Sequence, residues 1–244
     1  MTRNMRFVAI LALAALLGAC PAPRKPSPPP EAPAPTEQPL PAPAEEPAGP
    51  QPGAVEHRLV ADESQVKILV YRGGKLSSAG HNHVVVSHNL SGRVWVHEDP
   101  ARSGFQVVMP VTLLEVDDPK ARSEEGQDFP PGVPESARQG TRRNMLGPQL
   151  LDADRYPGIT LTALAITGTA GQMQARTRVR IKDQSREITI PVSAKHSSGR
   201  VEAQGEFTLK QSDLGLTPFS VMLGALTVQD ELTVKFRIVA ERGE

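Results

Sequence analysis

His81-Asn82-His83 sets two imidazoles two residues apart. On a strand that spacing sends both to one face, within reach of a single metal ion. A closed zinc site needs about four ligands; His97 is the third candidate, although spacing places none of His88, His97 and His196 beside the pair. The alternative is one imidazole hydrogen-bonded across a strand with its neighbour at the surface. Arg138, Arg142 and Arg143 could grip a carboxylate or pyrophosphate, or form the wet face of a helix. Ser77, Ser78 and Ser87 lie near histidines, yet the chain has no nucleophile elbow and no metalloprotease helix motif. Glu115, Asp117 and Asp118 fall in a charged loop, where carboxylates are expected to be solvated rather than paired for acid–base work. Gly73-Gly74 lacks the lysine spacing of a phosphate loop. These residues point away from catalysis, and neither an enzyme activity nor a cofactor is expected.

The elements that would carry these side chains are strands. From Gly171 to Lys210 residue types alternate with a period of two: Met173, Ala175, Thr177, Val179 and Ile181 oppose Gln174, Arg176, Arg178, Arg180 and Lys182. After a break at Asp183-Gln184-Ser185 come Ile188, Ile190 and Val192; after His196-Ser197-Ser198-Gly199 come Val201, Ala203, Gly205, Phe207 and Leu209. Three such strands with short turns predict an antiparallel meander, dry on one face. Val66, Ile68 and Val70 form a similar face, as do Phe105, Val107 and Met109, then Ile159, Leu161, Ala163 and Ala165, and finally Leu232, Val234, Phe236 and Ile238. The stretch from Leu114 to Pro134 breaks the pattern with charge, glycine and proline. Beyond it, Ser136 with Gln139 makes a capping box that predicts a helix to Leu146. An all-β domain must cover its dry face by closing into a barrel or by stacking two sheets, and alternation alone fits both. The small residues Ala163, Ala165, Ala175, Ala203 and Gly205 on that face fit either a hollow interior or a tapered, filled core.

The N-terminus belongs to no such domain. Residues 1–19 combine Arg3 and Arg6 with the apolar run Phe7 to Leu17, as in a secretory leader too short to span a membrane. Leu17-Gly18-Ala19-Cys20 resembles the bacterial lipobox, which implies that Cys20, the only cysteine, carries a lipid anchor. Residues 20–54 are rich in proline and alanine and predict an extended tether. The folded domain is expected over 55–244. Lipid anchoring implies the bacterial cell envelope, with the outer membrane facing the periplasm as the expected address; Pro21 in place of aspartate favours export by the enteric sorting rule. Basic and acidic residues number 27 each, so no field of one sign invites nucleic acid.

Within the domain, Arg142-Arg143-Asn144-Met145-Leu146, then Leu151-Asp152-Ala153-Asp154-Arg155-Tyr156-Pro157-Gly158-Ile159, then Ile188-Thr189-Ile190-Pro191-Val192 run in a familiar order. With Phe207-Thr208-Leu209-Lys210-Gln211-Ser212-Asp213-Leu214-Gly215-Leu216 and Val228 to Phe236, they resemble the YceI-like family, also called polyisoprenoid-binding or lipid-binding periplasmic proteins. The resemblance implies an elongated, antiparallel, lipocalin-like β-barrel of about eight strands, with one or two short helices. Such a barrel surrounds a nonpolar tunnel for an isoprenoid or fatty-acid-like lipid and catalyses nothing. The tunnel-lining set is then Val66, Ile68, Val70, Ala163, Ala165, Ala175, Val179, Ala203, Phe207 and Phe236, with Arg142 and Arg143 for a head group at the mouth. Gln211 stands where the family usually has arginine, and the usual glycine is missing from Asp183-Gln184-Ser185.

Overall fold

The computed structural model describes residues 49–243 apart from residue 170. The leader at 1–19, Cys20 and the tether as far as residue 48 lie outside the described residues. Strands β1 (Val55–Leu59), β2 (Gln65–Gly73), β3 (His83–Ser87), β4 (Ser91–Val96), β5 (Gly104–Pro110) and β6 (Glu115–Val116) come first. Helices α1 (Pro119–Ser123) and α2 (Glu135–Leu146) follow. The chain then returns to β7 (Gly158–Thr169), β8 (Gln172–Ile181), β9 (Gln184–Ser197), β10 (Arg200–Lys210), β11 (Ser220–Val221) and β12 (Leu226–Arg242).

Every pairing is antiparallel, and the sheet order β1-β4-β5-β7-β8-β9-β10-β12-β2-β3-β6, with β1 also paired to β12, closes on itself. The wall has eight staves, because three of them are broken strands. A 3-10 turn at Ala61–Glu63 divides β1 from β2, His88–Leu90 divides β3 from β4, and a 3-10 turn at Val111–Leu113 divides β5 from β6. Closure excludes the two-sheet alternative and leaves few exposed ladder edges. Strand β12 does the closing: β10 lies along one side, and β2 and then β1 lie along the other.

Ser64 repairs the break between β1 and β2. Its Oγ lies 2.7 Å from the Val60 carbonyl and accepts the Val239 N–H at 3.0 Å, while Val60 N–H donates to the Val239 carbonyl at 2.9 Å. The hairpins use left-handed residues where the strand twist demands them. Ser198 (φ 50°) and Gly199 (φ 77°) join β9 to β10, as a two-residue hairpin loop requires. The turn between β8 and β9 sits at Lys182-Asp183, one residue earlier than the polar triplet suggests, with Ile181 opposite Gln184.

Two local features depart from simple alternation. A β-bulge separates Ala163, opposite Thr177, from Ala165, opposite Arg176, so that Leu164 is the extra residue and Ile166 rather than Ala165 continues the dry face. The β9–β10 ladder stops at the pair Gln204 and Ser193, just before Pro191, which has no N–H to donate. There a Cβ on Gly205 would lie 2.3 Å from the Pro191 carbonyl and 2.6 Å from the Phe236 ring. The absence of that atom lets the Phe236 ring lie against the wall.

Helix α2 starts at Glu135, and Ser136 does not cap it. Gln139 Nε2 instead donates to Glu135 Oε1 at 2.9 Å, and Arg138 pairs with the same carboxylate. The irregular segment between β5 and α2 is largely buried: Val111, Leu114, Val116, Ala121, Phe129 and Val133 are all core residues. Phe129 and Ala121 pack with Leu69, Val84 and Val86 outside the barrel wall. This cover explains Val84-Val85-Val86: Val85 faces the interior while its neighbours face the covering segment, so both sides of β3 are dry.

Replacing Ser64 with alanine would strand the Val239 N–H in a fully buried site. Such a loss costs about 1–3 kcal/mol. A lower urea midpoint with an unchanged denaturant slope is the expected result.

Candidate functional site

The barrel interior is a cavity of about 880 Å³ that runs between the two ends of the strands. This lies within the usual size range of ligand sites, about 300–1,000 Å³. Its walls come from alternate residues of the staves, and α2 contributes Ala137, Thr141, Asn144 and Met145 at helical spacing. Val66, Ile68 and Val70 face it from β2, Ala175 and Val179 from β8, Ala203 and Phe207 from β10, and Phe236 from β12. Ala163 and Ala165 do not line it. Ala163 is packed into a dry cluster with Ile166 and Ala175. Ala165 is turned to the outer face by the bulge at Leu164, opposite Arg176.

Arg142 and Arg143 are also away from the cavity wall. They are exposed, and Arg142 donates to the Thr112 carbonyl. The helical period explains this, since with Ala137, Thr141 and Met145 turned inward, positions 142 and 143 fall on the flank. The basic groups that do line the cavity include Lys195 on β9 and Arg72 at the end of β2, whose Nη1 donates to the Gly80 carbonyl at 2.8 Å. Gln211 also lines the cavity, buried, with its Nε2 on the Gln229 carbonyl at 2.8 Å.

The three histidines considered as metal ligands do not converge. His81 and His83 are neighbours at the end where β2 and β12 border the Gly74–Gly80 loop, their rings 6.4 Å apart and tilted. His97 follows β4 at the opposite end and accepts the Asp99 N–H on Nδ1 at 2.9 Å. Among the described residues no three His, Cys, Asp or Glu side chains are grouped to hold an ion.

His83 belongs to a different device. Its Nδ1 lies 2.6 Å from Asp117 Oδ2, and Asp117 Oδ1 accepts from Val84 N at 2.9 Å and from Arg122 Nη1 at 2.5 Å. Asp117 and Arg122 are both fully buried. Arg122 also donates to the carbonyls of Asn82 (2.7 Å) and Pro130 (2.8 Å), and Phe129 lies beneath its guanidinium. Burial alone would raise the Asp117 pKa, but His83, the Val84 N–H and Arg122 together hold it below the usual carboxylate value. The expectation of a solvated carboxylate therefore fails at Asp117. Residue 117 meets residue 83 only through the β3–β6 pairing, a long-range contact that no spacing rule reveals.

At the other end, His57 is buried with its Nε2 unpartnered, its ring edge-on to His196 at 5.1 Å. Burial is the largest cause holding its pKa below 6.5, and neighbouring His196 and Arg242 push the same way.

The profile of the YceI-like domain matches residues 58–240 of the chain. The chain belongs to the YceI-like family. No curated protein matches the sequence. Among solved structures, BcnA of Burkholderia cenocepacia superposes with a TM-score of 0.55 at 16% identity, covering 75% of this chain and 99% of BcnA. A polyisoprenoid binding domain from Saccharophagus degradans, implicated in plant cell wall breakdown, gives 0.50 at 14% identity, with 78% and 99% covered. These similarities establish a shared barrel. Among the described residues of this YceI-like chain, no helix is long and apolar enough to cross a membrane.

Because His57 is held neutral in the fold, the unfolded chain takes up the proton first as pH falls below about 6.5. Stability should therefore decline from neutral pH toward pH 5. A His57→Gln variant should show a flatter profile over that window in thermal melts at a series of pH values.

Proposed function

We propose that this YceI-like protein binds one long apolar molecule, an isoprenoid or fatty-acid-like lipid, along the barrel interior, and carries or sequesters it in the cell envelope without chemical change. The observation that carries this reading is the continuous apolar cavity of about 880 Å³. A folded chain leaves so much dry space empty only at a penalty, since packing the same volume with side chains would recover dispersion and transfer energy. A guest removed from water would supply what the wall lacks. The polyisoprenoid binding domain that shares the fold supports the ligand class.

Among the described residues the cavity wall shows no nucleophile paired with a base. His83 points to a pair that is already neutralised, and the serines near histidines make no nucleophile–base contact among the described hydrogen bonds. The remaining part of the proposal concerns location. Lipidation at Cys20 and a proline-rich tether would hold the barrel at a membrane, in our reading the outer membrane facing the periplasm. Acyl chains there would anchor with about 0.8 kcal/mol per buried methylene.

The test uses a Cys20→Ser variant, which should leave the membrane fraction and allow purification without detergent. Native mass spectrometry should then show one apolar ligand per chain, recovered by organic extraction. An added Ala203→Phe change, which fills the interior from β10, should lower ligand occupancy at least about tenfold while the protein stays folded. Stable protein that is repeatedly ligand-free and takes up no isoprenoid or fatty acid would contradict the proposal.

A further inference from the structure

The two ends of the cavity differ in their ionisable side chains. At the end bordered by β2, β3 and β12, the ionisable side chains facing it are Arg72, His81 and His83, and no carboxylate lines that end. At the other end the lining holds His97, Lys195 and His196 together with Glu98, which among the described lining residues is the carboxylate. Asp117, behind His83, contributes no net negative charge, because Arg122 meets it in a fully buried pair.

That pair has a directional consequence. Asp117 fixes the His83 ring through Nδ1, and Nε2 has no hydrogen-bond partner among the described residues. A hydrocarbon guest would leave this nitrogen unpaired against an apolar surface, which is unfavourable. Burying Asp117 and Arg122 to orient it adds a desolvation cost that stability alone does not require. Arg72 stands close by, its backbone N–H on Asn82 Oδ1 (3.0 Å) and one guanidinium N–H on the Gly80 carbonyl. The remaining guanidinium donors are available to a guest.

Resting on the apolar-ligand reading, we propose that His83, Arg72 and His81 form a head-group site. It takes the anionic end, a carboxylate or a phosphate ester, of a single-chain amphiphile whose tail fills the tunnel. Asp117 and Arg122 are positioning residues that hold the His83 ring. With Nδ1 held by Asp117, the protonated ring presents Nε2–H to an anion as a charge-assisted hydrogen bond, with Arg72 closing on the same group.

Titration calorimetry with hexadecanoate, hexadecyl phosphate and hexadecanol separates the possibilities. At least one anionic chain should bind about tenfold or more tightly than the alcohol. The tighter of the two anions identifies carboxylate or phosphate as the group. His83→Phe should abolish the preference, read as the ratio of anion to alcohol affinity within the same variant. Arg72→Gln, on the exposed rim, should reduce the preference independently, so the proposal stays testable if His83→Phe misfolds. Equal affinity for all three chains, or a preference that survives both variants, overturns the head-group site and leaves the apolar-ligand reading standing. Binding of none of the three overturns both.

Discussion

Everything inside this protein depends on one strand reaching two partners in succession. The 17 residues of β12 pair with β10 along one edge, then with β2 and β1 along the other. A sheet that alternates dry and wet side chains has an apolar face it cannot expose, and closure turns that face inward on all sides at once. The perimeter is then set by backbone hydrogen bonds rather than by side-chain volume. With alanines at 175 and 203 and Gly205 occupied by the Phe236 ring, the side chains do not fill the space that the ladders enclose.

Much of this arrangement was legible in the sequence because strand periodicity is local. The alternation in β8 and β10 is carried by consecutive residues, and the inward positions Ala175, Val179, Ala203 and Phe207 follow from it. Ala165 was misread for a physical reason: a bulge inserts Leu164 without a composition signal and reverses the faces beyond it. The capping box at Ser136 named the right helix and the wrong cap, since Glu135 satisfies the Gln139 and Arg138 side chains instead. Cys20 and the leader lie outside the described residues, and the lipobox resemblance still carries that part by itself.

The polar part of the site was the least legible. The sequence pattern pairs His81 with His83 because they are neighbours, yet His83 is bound to Asp117, 34 positions away. The stretch carrying Asp117, Arg122 and Phe129 looks solvated by composition and is held down by burial against β2 and β3. Lys67 and Lys235 clamp the same stretch through Glu125, at 2.9 and 2.7 Å. A covering segment of this kind reads as a loop because its contacts are all with distant residues.

The central claim is that an apolar chain exchanges water for the barrel interior. Titration calorimetry of a long-chain guest at several temperatures tests it most directly, because burial of apolar surface lowers the heat capacity. The account predicts one guest per chain and a binding enthalpy that becomes more negative as temperature rises. A heat capacity change near zero, or binding at several weak sites, would contradict it.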